Sequence, residues 1–143
     1  VAAITEASSS SLLILKSLNQ QMKQEVLSWL PEEACGLLFG RDSTIEIVIP
    51  ITNDLHSPTQ FRMNPTEQVK AFLEMEAAGF ELIAVYHSHP AGPDHPSQQD
   101  IEEFAYPGTA YIIWFPHHNN WSCNAYTIHE QAYQPQDIIL VEG

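Results

Sequence analysis

Between positions 87 and 100 the chain reads His-Ser-His-Pro-Ala-Gly-Pro-Asp-His-Pro-Ser-Gln-Gln-Asp, its stretch richest in groups able to do chemistry. His87 and His89 stand two apart at the end of the apolar run Leu82 to Tyr86. Alternate residues of a strand point to one face about 6–7 Å apart, so the two imidazoles can meet on one metal ion. Zinc takes neutral His nitrogen and carboxylate oxygen, and a catalytic zinc keeps a position open for water, so a third protein ligand is needed. Asp100 is the best candidate, because the Pro- and Gly-rich loop turns the chain back and Ser97-Gln98-Gln99-Asp100 has the S-x-x-[DE] form that opens a helix. Metal coordination lowers the pKa of water to ~7, and a carboxylate that is not itself a ligand can take the proton and pass it to a leaving amine. Glu32 and Glu33 precede the strand-like Ala34 to Phe39, but spacing alone does not bring either one to His87.

Each of these groups has a plainer reading when taken singly. His-x-His is commonly surface or core histidine, and Ser97 with Asp100 can be a helix cap and nothing more. Their combination in one short stretch points to a metal. Cys35, beside Gly36 and Leu37, reads as a small buried hydrophobe rather than a nucleophile. His56, His95, His117, His118 and His129 read as loop or surface residues, and Asp94 has weaker ligand spacing than Asp100.

The elements that must position these groups follow from patterning. Leu12 to Leu15 is a short apolar run that can open a sheet, and Leu18, Met22, Val26, Trp29 and Leu30 recur at helical spacing until Pro31. Ala34 to Phe39 and the alternating Thr44 to Ile51 read as a hairpin. Residues 53–59 form a loop by composition, with a short extended piece at Phe61 to Met63. Asn64 and Pro65 supply the cap and first position of a helix whose Val69, Phe72, Leu73 and Ala77 are expected to face the core, ending at Gly79. Leu82 to Tyr86 and Tyr111 to Phe115 are continuously apolar and read as buried strands, the first of them central. A short helix is expected to continue through Ile101 to Ala105, and Trp121 to Ile128 to pair with the strand before it. Glu130 to Gly143 is left as a tail with an apolar patch at Ile138 to Val141. Strands interleaved with two or three helices imply an α/β or α+β sandwich with a mixed sheet.

Composition bounds the partners. The 143 residues, 44% of them apolar, suit one domain with a core of its own, expected over 12–143 after a flexible leader at 1–11. Five Lys and Arg against 18 Asp and Glu leave a net charge of −13, which repels phosphate backbones and anionic lipid. No apolar run approaches the ~20 residues of a membrane helix, and the first residues lack the basic start of a signal peptide. Two cysteines are too few for a disulfide framework, so a reducing cytoplasm is expected.

The His-Ser-His-Pro and Pro-Ser-x-x-Asp pieces, with 100 − 87 = 13 positions between first His and Asp, resemble the JAMM motif of the MPN+ zinc metalloproteases. Upstream, Glu33-Ala34-Cys35-Gly36-Leu37-Leu38-Phe39-Gly40 is similar to the E-x-C-G-L-L-x-G signature of that family, in the right order. The resemblance runs from about Leu18 to Trp121 and implies the three-layer, cytidine-deaminase-like MPN/JAMM fold, with a central mixed sheet flanked by helices. It implies that His87, His89 and Asp100 ligate one zinc ion carrying a catalytic water, that Glu33 is the general acid/base, and that Ser97 polarises the water and helps stabilise the oxyanion. The compact form resembles the prokaryotic branch, which implies hydrolysis of the peptide or isopeptide bond after the C-terminal Gly-Gly of a ubiquitin-like or sulfur-carrier protein. Two rivals are weighed against it: a JAMM protein of the DNA-repair branch, opposed by the net charge of −13, and a non-catalytic zinc-binding interaction module, opposed by the offer of only three ligands.

Overall fold

The computed structural model describes residues 11–142, so the expected leader lies, except for Ser11, outside the described residues. Eight strands form one sheet: β1 (Leu12–Leu15), β2 (Cys35–Arg41), β3 (Thr44–Ile51), β4 (Glu81–Ser88), β5 (Ala110–His117), β6 (Asn120–His129), β7 (Ala132–Gln136) and β8 (Ile138–Val141). Among the described residues three helices join them: α1 (Lys16–Ser28), α2 (Pro65–Ala77) and α3 (Gln98–Glu103). The strand order is β7-β6-β5-β4-β2-β3-β1-β8. Pairing is parallel for β4 with β5 and for β1 with both β3 and β8, and antiparallel elsewhere, which gives the mixed α+β sheet expected.

β7 and β8 sit at opposite ends of that order, yet only Asp137 separates them in the chain. Strands spaced about 4.7–4.9 Å apart would put the ends of a flat eight-stranded sheet more than 30 Å apart, far beyond one residue's reach. The sheet must therefore curl until its edges approach. Its two faces are different cores. On one side Met22 and Val26 of α1 are fully buried against Leu12, Ile14, Leu38, Ile45, Tyr86, Ile112 and Trp114. On the other, α2 lays Ala71, Phe72 and Met75 over Cys35, Leu37, Phe39, Ile51, Val85 and Tyr111.

Two expectations are corrected. Val69, Leu73 and Ala77 are not core: the first two are 59% and 67% exposed, and Ala77 is exposed as well. At 100° per residue Ala71, Phe72 and Met75 share an arc of α2, whereas Val69 and Leu73 lie on its far side; Phe72 and Leu73 cannot face one way. The stretch after Glu130 is not a tail either. It forms β7 against β6 and β8 alongside β1, so the patch Ile138 to Val141 is an edge strand. The earlier helix runs Lys16–Ser28, stopping before Pro31, and no helix among the described residues is long and apolar enough to cross a membrane.

Candidate metal centre

Register arithmetic builds the site. In the β2–β4 pair Cys35 faces His87, Gly36 faces Tyr86 and Leu37 faces Val85, so partner numbers sum to 122. The pairing continues past the end of β2, where the Ala34 N–H donates to Ser88 Oγ at 2.8 Å and the Ser88 N–H donates to the Ala34 carbonyl at 3.0 Å. One step further the same sum pairs Glu33 with His89. Since alternate residues share a face, Glu33, Cys35 and Leu37 lie on the α2 side with Val85, His87 and His89. Glu32 takes the other direction and meets His56 at 3.0 Å near the surface.

The third ligand candidate arrives from the loop. Gly92 N–H bonds back to the His89 carbonyl at 2.9 Å, and the Asp94 carbonyl is clamped to β6 by Tyr126 Oη at 2.6 Å and Asn124 Nδ2 at 3.1 Å. Asp94 thus serves the site through its backbone. Ser97 then caps α3 with a full capping box: Asp100 N–H donates to Ser97 Oγ at 3.0 Å, and Ser97 N–H donates to Asp100 Oδ2 at 2.8 Å. The plain helix-cap reading is therefore true of both residues, and it is also the device that aims the carboxylate. The same Oδ2 lies 3.3 Å from His87 Nε2 and 3.1 Å from His89 Nε2, and the two ring nitrogens are 2.9 Å apart. Ser97 Oγ accepts one bond and keeps its own proton to donate.

These three atoms form a triangle with edges of 2.9, 3.1 and 3.3 Å. Zinc bonds of ~2.0–2.2 Å in a tetrahedron set ligand atoms about 3.3–3.6 Å apart, so a shift of a few tenths of an ångström accommodates the ion. The donor chemistry agrees. His89 Nδ1 faces the Pro93 carbonyl at 2.8 Å, a bond that keeps a proton on Nδ1 and makes Nε2 the nitrogen a metal would take in place of a proton. His87 is fully buried and its Nδ1 has no partner among the described residues, so burial holds its pKa below the ordinary histidine value and favours the neutral ring that a ligand needs. For Asp100 burial raises the pKa, but the bonds from His87 and His89 outweigh it and hold the carboxyl well below the usual range. Burial also opposes charge on His89, where Asp100 and the Pro93 carbonyl win and raise the pKa. His87, His89 and Asp100 make up a group able to hold a metal ion.

Glu33 is only 3% exposed. Burial pushes its pKa up to about 8, with His89 lowering and Asp100 raising it, so its carboxyl is poised to hold or release a proton near neutrality. Cys35 is fully buried, donates to the Ile51 carbonyl at 3.3 Å, and is pushed up to about 12 by burial and by nearby carboxylates, Glu33 foremost. Both burial and the raised pKa disfavour the reactive thiolate, in line with the buried-hydrophobe reading. His95 stacks on Tyr133, while His117 and His118 touch each other on an exposed turn.

Three supports escaped the sequence reading. Ser88 pins Ala34, and its place between two histidines was the available signal. Phe61 stacks on the His87 ring at 4.5 Å between centroids. Asn53, fully buried, donates through Nδ2 to the Glu33 and Gln60 carbonyls at 3.1 and 3.0 Å, and accepts through Oδ1 from Leu55 and Arg62 N–H at 3.0 and 3.1 Å. It ties the Glu33 segment to the 54–62 loop that carries Phe61. Beside the triangle, that loop and the segment from α3 to Tyr106 wall a groove of about 390 Å³, lined by Leu55, Phe61 and Arg62 on one side and by Asp100, Phe104 and Tyr106 on the other.

The whole architecture has relatives. A desampylase of Pyrococcus furiosus is 34% identical over 119 residues, covering 82% of each chain. A CysO-cysteine peptidase of Mycobacterium tuberculosis is 33% identical over 117 residues, covering 78% of this chain and 79% of its own. The solution structure of a Desulfitobacterium hafniense protein superimposes with a TM-score of 0.84 at 33% identity, over 92% of this chain and 94% of that one. Residues 15–129, which span the triangle, Glu33 and the groove, match the model for prokaryotic homologs of the JAB domain, and the chain belongs to that family.

Proposed function

We propose that the chain is a zinc-dependent metallopeptidase that hydrolyses the peptide or isopeptide bond after the C-terminal Gly-Gly of a ubiquitin-like or sulfur-carrier protein. The observation that carries this reading is the convergence of His87 Nε2, His89 Nε2 and Asp100 Oδ2 within 3.3 Å, with the buried carboxyl of Glu33 one register pair away. The names of the relatives, a desampylase and a CysO-cysteine peptidase, support the substrate class. Residues 12–143 act as one unit in this reading, in a reducing cytoplasm where Cys35 and Cys123 stay free thiols.

His87, His89 and Asp100 would hold one zinc ion, which would supply Lewis acidity and lower the pKa of a water to ~7. Glu33 would accept a proton from the attacking water and deliver it to the departing amine; its raised pKa suits both halves of the transfer. Ser97 Oγ–H donates toward the developing negative charge while its backbone N–H steadies Asp100. The carbonyl carbon gains the water oxygen, the C–N bond breaks, and the products are a Gly-Gly carboxylate and a free amine. The groove beside Asp100 receives the extended substrate, and a net charge of −13 leaves nucleic acid outside the partner class.

The test is hydrolysis of a ubiquitin-like carrier extended past Gly-Gly, read by mass spectrometry, with wild type, Glu33→Ala and a chelated sample side by side and metal content measured. Cleavage after the second glycine, lost in both controls, is expected. Full activity of Glu33→Ala would overturn the mechanism, and no cleavage by a zinc-loaded protein would overturn the substrate class.

A further inference from the structure

In a chain with 18 acidic and five basic residues, every basic side chain should find a partner. Four do. Lys16 pairs with Glu142, Lys23 Nζ donates to Asn120 Oδ1 at 2.8 Å, Lys70 lies 3.9 Å from Glu74, and Arg41 Nε donates to the Gly79 carbonyl at 3.3 Å with its guanidinium over the Phe80 ring. The fifth, Arg62, has no hydrogen-bond or ion partner for its guanidinium among the described residues, and it lines the groove that also contains Asp100. Its backbone is fixed on both sides, the N–H by Asn53 Oδ1 at 3.1 Å and the carbonyl by Asp54 N–H at 2.9 Å. Acidic groups close by are already engaged: Asp54 accepts from Asn64 Nδ2 at 3.2 and 3.3 Å, and Glu103, also in the groove lining, accepts from Gln99 Nε2 at 3.2 Å. An exposed positive fork on an anchored backbone, lining the same groove as Asp100 and without an ion partner among the described residues, is free to receive an anion from outside.

We propose that Arg62 is a specificity residue that receives the free α-carboxylate of the leaving residue, so that the groove selects conjugates in which a single amino acid follows Gly-Gly. The inference rests on the hydrolase reading above. The two glycines before the scissile bond carry no side chain, so a carboxylate next to that bond must belong to the leaving group. In a single amino acid it sits one carbon beyond the scissile nitrogen, about 2.5 Å away. In a lysine isopeptide the scissile nitrogen is at the far end of a four-carbon stem and the α-carboxyl is tied up in a neutral peptide bond.

The experiment uses the zinc-loaded protein and a carrier ending in Gly-Gly-Ala, made as the free acid and as the carboxamide, together with a carrier joined through Gly-Gly to a lysine side chain. Hydrolysis of all three is measured for wild type, Arg62→Ala and Arg62→Lys, and affinity for the acid and the amide is measured by calorimetry on Glu33→Gln with and without Arg62→Ala. A charge-assisted hydrogen bond at a solvent-accessible site predicts that wild type prefers the acid about tenfold over the amide and that Arg62→Ala removes this preference. The rate on the amide should fall far less with Arg62→Ala than the rate on the acid, and Arg62→Lys should keep part of the preference. Equal handling of acid and amide by wild type, an equal loss on both with Arg62→Ala, or lysine conjugates cleaved as fast as the acid would overturn the proposal. If no substrate is cleaved while calorimetry still shows the Arg62-dependent preference, the hydrolase reading fails and the carboxylate site stands.

Discussion

Replacing Asn53 with alanine should cost more than any other single polar deletion outside the metal triangle. The side chain makes four hydrogen bonds of 3.0–3.1 Å from a fully buried position. The Glu33 carbonyl lies in dry surroundings, and stranding it costs about 1–3 kcal/mol. The Gln60 carbonyl and the Leu55 and Arg62 N–H groups are part-buried and can recover water, so each loses about 0.5–1.5 kcal/mol. A total near 5 kcal/mol is a large share of the 5–15 kcal/mol that holds a domain folded, and corresponds to a melting temperature lower by about 15 °C. Asn53→Asp separates hydrogen bonding from volume. Its carboxylate still accepts from Leu55 and Arg62, but sets its second oxygen against two carbonyl oxygens, so at pH 8 it should be no better than alanine. Protonation restores one donor, so the folded-state pKa lies above the unfolded value and stability must return as pH falls. Urea denaturation at pH 5 and pH 8, with hydrolysis of a Gly-Gly carrier run alongside, reads both effects. A cost below about 1 kcal/mol for Asn53→Ala, or wild-type stability of Asn53→Asp at pH 8, would refute the hub argument.

The carboxyl of Glu33, raised to about 8 by burial, binds its proton more tightly in the folded than in the unfolded metal-free protein, so its contribution falls as pH rises from 4.5 to 8. Metal-free Glu33→Gln should therefore match wild type near pH 4 and exceed it by a few kcal/mol at pH 9 in chemical denaturation, while losing hydrolysis when zinc is restored. Gly36→Ala would place a Cβ 2.3 Å from Cε2 of the buried Tyr86 ring and should lower stability by about 3 kcal/mol, measured by calorimetry. Cys35→Ala should keep hydrolysis within about twofold, and native protein at pH 8 should resist iodoacetamide at Cys35, because the thiolate is the nucleophile and burial pushes this thiol up to about 12. Glu130 and Gln131 both have positive φ, 52° and 67°, in the β6–β7 turn; replacing them with Asn-Gly should raise stability by about 1 kcal/mol in thermal melts.

Local chemistry made much of this molecule legible and long-range geometry hid the rest. The continuous apolar runs Leu82 to Tyr86 and Tyr111 to Phe115 announced buried strands because burial on both faces removes the polar alternation. Asn64 and Pro65 announced α2 because the cap bond to Glu67 N–H and the fixed φ of proline act within one turn. β7 gave no such sign. Its turn uses Glu and Gln where Asn-Gly would be favoured, it contains Pro135, and most of its residues face solvent, so its only reason to be a strand is the partner edge of β6. The inward face of α2 was misjudged for a related reason: an apolar residue outside the buried arc looks in the sequence like one within it.

The site divides the same way. Ser97 and Asp100 are legible together because a capping box is a four-residue device, and here that device also directs Oδ2 at both histidines. Glu33 is different. It stands 56 positions before His89, and no spacing rule spans such a distance; only the antiparallel register that sets Cys35 against His87, continued by the Ser88 bonds to Ala34, brings it alongside. Because side chains alternate strictly, a one-residue slip of that register would turn Glu33 to the opposite face and present Glu32 or Ala34 to the histidines instead. On the proposed mechanism, that register is what places Glu33 for proton transfer. Gly36 is needed where Tyr86 crosses it, and Leu37 packs beneath α2, to keep the sum of partner numbers at 122. The E-x-C-G-L-L-x-G signature thus spells out one carboxylate and the strand packing that delivers it.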